Sequence, residues 1–129
     1  MIAVDTSAIV ALLKAEASEP SLRRKLQDAD SALMSAGNVL ELQLVLNGAR
    51  EIAAWPVAEA LFGKYRIAIH PFDERQLQLA REAAVRFGRG RHKAALNYGD
   101  CFAYALARSE GIPLLCTGAD FAATDVKLA

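Results

Sequence analysis

Apolar residues along this chain fall in short blocks whose period switches back and forth between strand and helix. Ile2-Ala3-Val4 is an apolar run that halts at Asp5-Thr6-Ser7 and restarts with helical spacing from Ala8 to Lys14. Glu19-Pro20 opens a second helix in "SLRRKLQDAD", with proline suitably placed in a first turn. "SALMSA" (31–36) reads as a strand followed by the helix "GNVLELQLVLNGA", and a further helix covers Val57 to Tyr65. "RIAIHPF" (66–72) is a third strand closed by Pro71. Asp73 then caps the best-marked helix, with Gln76 at N3, a Phe72–Leu77 staple, a face of Leu77, Ala80, Ala84 and Phe87, and Gly88 as its stop. After the loop "GRGRHKAALNYG", a helix opening at Asp100 is apolar on nearly every face from Cys101 to Ala107. Gly111-Ile112-Pro113 ends it, "LLC" is a fourth strand, "TGADFAATD" a loop or short helical turn, and Val126 begins a last strand.

Strands alternating with helices specify a mainly parallel sheet covered on both faces. In such sheets ligands bind outside the carboxyl ends of the strands. No repeat, low-complexity tract or linker divides residues 1–129, so one domain is the economical reading.

Composition narrows the function classes. The 129 residues are 53% hydrophobic and 23% charged, which is globular rather than disordered. Fifteen basic and fifteen acidic residues cancel, so net charge recruits neither nucleic acid nor membrane, and a polyanion would need a local patch. Cys101 and Cys116 belong to no Cys-x-x-Cys pair or Cys/His cluster, which argues against zinc and for small buried residues in a reducing compartment. The start "MIAVDTSAIVALLK" lacks a basic n-region and is split by Asp5, so it reads as neither signal peptide nor membrane span; a cytoplasmic location is expected.

Placed on that sheet, the acids acquire a pattern. Asp5 follows the first strand, Glu41 lies early in the helix after the second, Asp100 opens its helix, and Asp120 trails the fourth strand. A parallel sheet would bring these four to one edge. Each also has a plainer use: Asp5 and Asp100 as helix caps, Asp120 as a turn residue, Glu41 on a solvated stripe with Asn38. Converging carboxylates repel, however, and a hard divalent cation such as Mg²⁺ or Mn²⁺ resolves the repulsion. An all-acid site of that kind serves phosphoryl chemistry. Thr6, Ser7 and Thr117 adjoin these acids and suit supporting roles, although Thr6 and Ser7 are equally good caps. No Gly-rich phosphate loop, Ser-His-Asp set or cysteine nucleophile competes.

"MIAVDTSAIVALL", "NVLEL", "NYGDCFAYALA" and "LLCTGADF" together resemble the PIN-domain ribonucleases, specifically the VapC-type toxins of bacterial toxin–antitoxin pairs. The resemblance covers essentially the whole chain, and "RFGRGRHKAALNYGDCFAYALA" is similar to one branch of VapC proteins. It implies a three-layer α/β/α sandwich, a Mg²⁺-dependent endoribonuclease, a homodimer and a VapB-type antitoxin. It also implies that Asp5, Glu41, Asp100 and Asp120 form the metal site, with Asp5 and Asp100 most directly tied to the ion. The end of the motif departs from the family, where two adjacent polar or acidic residues often precede the Phe; here Ala119 precedes Asp120, and Asp125 is a further acid nearby.

RNA would need a local grip, and Arg89, Arg91, His92 and Lys93 in "RGRHK" are the strongest basic patch, just ahead of Asp100. The same patch also reads as a solvated loop or an antitoxin surface. Arg23, Arg24 and Lys25 are a weaker candidate, and His70 before Pro71 reads as structural. Trp55, Val57, Leu61 and Phe62 serve either a dimer face or the core. An aspartyl phosphatase ranks lower because Ser7 stands where its second Asp belongs, and no mid-chain acid suits a receiver domain. The alternative from another class is a PIN-like module that binds RNA or protein without cutting.

Overall fold

The computed structural model describes residues 1–48 and 54–129. Strands β1 (Ile2–Val4), β2 (Ala32–Ser35), β3 (Ile67–His70) and β4 (Leu114–Leu115) form one sheet in the order β3-β2-β1-β4, with every pair parallel. Around it lie α1 (Thr6–Leu13), α2 (Glu19–Asp28), α3 (Ala36–Gly48), α4 (Trp55–Lys64), α5 (Glu74–Phe87) and α6 (Tyr98–Glu110). The expected end of the third helix at Ala49 lies outside the described residues.

Alternation along β1 separates the layers, because successive side chains in a strand point to opposite faces. Ile2 and Val4 pack with α1, α2 and α4 through Ile9, Leu12, Leu22, Leu26 and Phe62. Ala3, between them, faces Ala83, Phe87, Ala103 and Leu106 of α5 and α6. Leu115 joins the first cluster and Leu114 the second. The result is an α/β/α sandwich in which Phe62 is core, Trp55 and Leu61 pack against it, and Val57 stays exposed.

Strand order places the site. The chain steps from β1 outward through β2 to β3, then returns across the sheet to lay β4 on the other side of β1. The crevice at the carboxyl ends of β1 and β4 is therefore the topological switch point. Asp5 N–H donates to the Leu115 carbonyl there at 2.9 Å, which ties the two strand ends together.

Several local expectations shift by a residue or two. Helix α1 begins at Thr6 because Asp5 itself is the N-cap, its carboxylate accepting from the Ser7 N–H. The inner face of α5 is Gln76, Ala80, Ala83 and Phe87; Leu77 and Ala84 point outward. That rotation follows from Gln76, which is buried with its amide 3.0 Å from His70 Nδ1. Helix α3 is less buried than its apolar run suggests, since Leu40 and Leu44 are 63% and 62% exposed. The last strand reduces to a single parallel bridge between Leu114 and Leu128.

Candidate active site

Asp5 is the buried member of the acid set. Only 4% of it is exposed, and its Oδ2 accepts the Ser7 N–H at 3.0 Å. Burial is the main force that pushes its pKa up to about 6; the bonds from Ser7 oppose this, and the charges of Asp100 and Glu41 add to it. A carboxylate kept so far from water and so close to like charge is costly to ionise without a cation.

Asp100 answers to both a cap and a site. Helix α6 starts at Tyr98, two residues earlier than expected, with Asn97 as N-cap and Asp100 at N3 of a reciprocal capping box. Asn97 Oδ1 accepts the Asp100 N–H at 2.9 Å, and Asp100 Oδ2 accepts the Asn97 N–H at 3.0 Å. That bond fixes the side chain and occupies one oxygen. Burial still raises the Asp100 pKa; the Asn97 bond pulls the other way, Asp120 and Glu41 push it further up, and Arg89 draws it down. Asp5, Glu41, Asp100 and Asp120 therefore share one field, as the topology requires.

Asn38 joins the elements that carry them. It is fully buried, and its amide donates to Glu41 Oε1 at 3.2 Å and to the Gly99 carbonyl at 2.9 Å. Its own backbone carbonyl accepts from Thr6 Oγ1 at 3.2 Å. One residue thus links the start of α1 to α3 and to the first turn of α6. Its Oδ1 has no partner among the described residues, an orphaned acceptor at the centre of a site rich in acids. Gly99 lies against the Glu41 carboxylate, which a Cβ there would displace. Ser7 Oγ accepts the Thr117 N–H at 3.1 Å and holds the loop leading to Asp120, which is exposed at the mouth.

The donor set fits a hard cation: oxygen ligands, a buried carboxylate of raised pKa, and no histidine or thiolate within it. As the side chains stand, no three acids among the described residues close into a ready-made cage. Thiol chemistry is remote, since burial first, then Asp5 and Asp100, push the Cys116 pKa up to about 11. Asp125 is not part of the set. It accepts from Tyr104 Oη at 2.7 Å and pairs with Arg86 and Arg108.

In the basic loop, Arg89, Arg91 and Lys93 are exposed. His92 is turned inward: Nδ1 accepts the Ala94 N–H at 3.0 Å and the ring packs edge-on to Phe87. On α2, Arg23 pairs with Glu19 and donates to Tyr65 Oη, while Lys25 Nζ donates to the Ala129 carbonyl, so only Arg24 is uncommitted there among the described residues. His70 is tied to Gln76 and lies 3.3 Å from Glu110. Asn38 is buried rather than on the solvated stripe expected for it with Glu41, and the roles of Asn97 and Gly99 escaped the sequence reading, although the capping pattern Asn97-x-x-Asp100 was visible in it.

The model of the PIN domain matches residues 2–127. The chain belongs to the PIN-domain family, and within it to the VapC-type proteins. Ribonuclease VapC28 of Mycobacterium tuberculosis is 41% identical over 127 residues, covering 98% of this chain and 96% of that one. Among solved structures, M. tuberculosis VapC20, described as a toxin cleaving the sarcin–ricin loop, superposes with TM-score 0.78 at 22% identity, over 100% of this chain and 98% of that one. VapBC2 of Rickettsia felis, bound to a promoter DNA fragment, gives TM-score 0.75 at 17% identity over 100% and 98% of the two chains. Both superpositions share the α/β/α layering described above. Among the described residues no helix is long and apolar enough to cross a membrane.

Proposed function

We propose that this chain is a metal-dependent endoribonuclease, the toxin of a toxin–antitoxin pair, hydrolysing RNA phosphodiesters at Asp5, Glu41, Asp100 and Asp120. The observation that carries the reading is Asp5: an acid 4% exposed, at the switch point of a parallel sheet, raised to about pKa 6 by burial with Asp100 and Glu41 adding to it. Family membership supports the class of reaction, since the VapC relatives are ribonucleases by name.

Asp5 and Asp100 would hold Mg²⁺ or Mn²⁺, with Glu41 and Asp120 completing the ring. Such a cation neutralises phosphate charge, acidifies water and steadies a leaving oxygen. The chain's own groups do the positioning. Ser7 engages the Asp5 carboxylate and Asn97 N–H engages Asp100 Oδ2, so both carboxylates are held in place for a ligand. Asn38 holds Glu41 against the first turn of α6. An attacking water loses its proton to a carboxylate of this set, and no covalent enzyme intermediate is needed. Ser7 and Thr117 tie the β1 and β4 ends together, and Thr6 ties the start of α1 to Asn38. Arg89, Arg91 and Lys93 supply phosphate contacts that a chain of zero net charge needs locally.

A VapB-type antitoxin is the expected inhibitor, a reading supported by the Rickettsia felis neighbour being a VapBC assembly. A homodimer follows from the family resemblance alone.

The test is incubation of wild type and Asp100→Asn with total cellular RNA, in Mg²⁺ or in EDTA. Discrete fragments from wild type only, and only with Mg²⁺, support the reading. Equal RNA binding by both proteins with no cleavage by either overturns it in favour of a non-cutting module.

A further inference from the structure

Tyr98 is the first residue of α6 and is 83% exposed, beyond any other large apolar or aromatic side chain among the described residues. Its ring is held edge-on to Phe102 with centroids 5.1 Å apart, so it is anchored on one side and open on the other. Beside it a hollow of about 430 Å³ is lined by Arg89, Arg91, Leu96, Asn97 and Cys101. Asn97 and Cys101 flank Asp100 in sequence, and Asn97 is bonded to its carboxylate. The hollow therefore adjoins the first turn of α6, which carries Asp100. We infer that this hollow is a nucleobase subsite, in which a base of single-stranded RNA stacks on Tyr98 while Arg89 and Arg91 hold the flanking phosphates. The inference rests on the ribonuclease reading and specifies how that substrate is gripped.

Composition and place both favour this occupant. Aromatic faces and arginines in one groove form the recurrent surface for unpaired bases, because stacking tolerates any base and guanidinium pairs with phosphate. A phosphate entering the carboxylate cluster needs nearby cations against repulsion, and Arg89 is close enough to Asp100 to oppose its rise in pKa. Duplex RNA would not serve, since its bases are not free to stack on a side chain. An apolar protein segment would leave both guanidiniums without counter-charge.

The test is fluorescence anisotropy of a labelled single-stranded RNA oligomer in EDTA, where no metal-dependent cut occurs. Wild type is compared with Tyr98→Ala, Tyr98→Phe and the double variant Arg89→Ala/Arg91→Ala. Losing one stacked base weakens binding roughly 5- to 150-fold, and Tyr98→Phe keeps the ring and stays close to wild type. The double variant flattens the salt dependence by roughly 0.7 of log–log slope for each phosphate no longer neutralised. An abasic oligomer should be insensitive to Tyr98→Ala. The inference is overturned if Tyr98→Ala binds like wild type, or if Tyr98→Phe loses as much as Tyr98→Ala. Sedimentation showing that Tyr98→Ala turns a dimer into monomers would overturn it too, making the face a subunit contact. If wild type cuts RNA in Mg²⁺ and Tyr98→Ala is silent in affinity and KM, this inference alone fails. If wild type neither binds nor cuts RNA, the ribonuclease reading fails with it.

Discussion

The fold treats Asp5 and Asp125 in opposite ways. Asp125 lies on the surface with Tyr104 Oη 2.7 Å from one oxygen and Arg86 and Arg108 beside the other, and its pKa is lowered. Burial is the largest single influence and pushes the pKa up, but that hydroxyl, the Arg108 and Arg86 guanidiniums and a backbone N–H together outweigh it. Asp5 is buried, has only Ser7 as a donor among the described residues, faces Asp100 and Glu41, and rises to about 6. A structural acid arrives with its counter-charges; acids that raise one another's pKa are the kind of set that the proposed cation would neutralise. The contrast separates the two carboxylates more sharply than their positions in sequence do.

The largest expected effect is on turnover. Asp5→Asn or Asp100→Asn should lower Mg²⁺-dependent RNA cleavage by more than about 100-fold, beyond what outer partners of a metal site usually cost, with circular dichroism unchanged. Asp125→Asn should cleave at nearly the wild-type rate. Comparable losses in all three would erase the distinction.

Stability of the metal-free protein should respond to pH with opposite signs at the two acids. The folded pKa of Asp5 stands above its unfolded value of 3.8, so its contribution favours folding at low pH and is lost as pH rises from about 4 to about 6. Relieving it by Asp5→Asn should stabilise the metal-free protein near neutral pH by up to about 3 kcal/mol in chemical denaturation. Asp125 is depressed, so its contribution is present above the ordinary carboxylate range and lost on acidification; Asp125→Ala should cost about 1 kcal/mol at neutral pH.

Next in size is Gly99→Ala. The new methyl meets the Glu41 carboxylate, the movable end of a flexible side chain. Cleavage should fall about 10-fold while stability changes by no more than about 1 kcal/mol. Unchanged cleavage would remove Glu41 from the mechanism. The smallest effect belongs to Ser7→Ala, which releases the Thr117 N–H and should cost about 1 kcal/mol with a modest loss of activity.

Much of this was legible in the chain. The short β1 run and the stop at Asp5 located the first acid, because a strand that ends on a capping residue puts it at the carboxyl edge. Cap chemistry likewise placed Asp73 and Gly88 at the ends of α5. What stayed hidden depends on long-range partners. The face of α5 turns on a hydrogen bond between Gln76 and His70, which no periodicity encodes. Asn38 looks like one more polar residue on α3 until Gly99 and Thr6 arrive from 61 and 32 positions away in the chain. His92 reads as a cation in "RGRHK", yet the fold points it at Phe87. The exposure of Tyr98 follows from α6 beginning at Tyr98 rather than at Asp100.

The central claim is that the acids around Asp5 are arranged for a divalent cation, and thermal unfolding with and without Mg²⁺ tests it without assuming a substrate. In wild type, Mg²⁺ at about 100 times its Kd should raise Tm by roughly 5 °C or more, and Asp5→Asn should start higher without Mg²⁺ and gain little from it. An equal Mg²⁺ shift in both proteins, or none in wild type, would contradict the account.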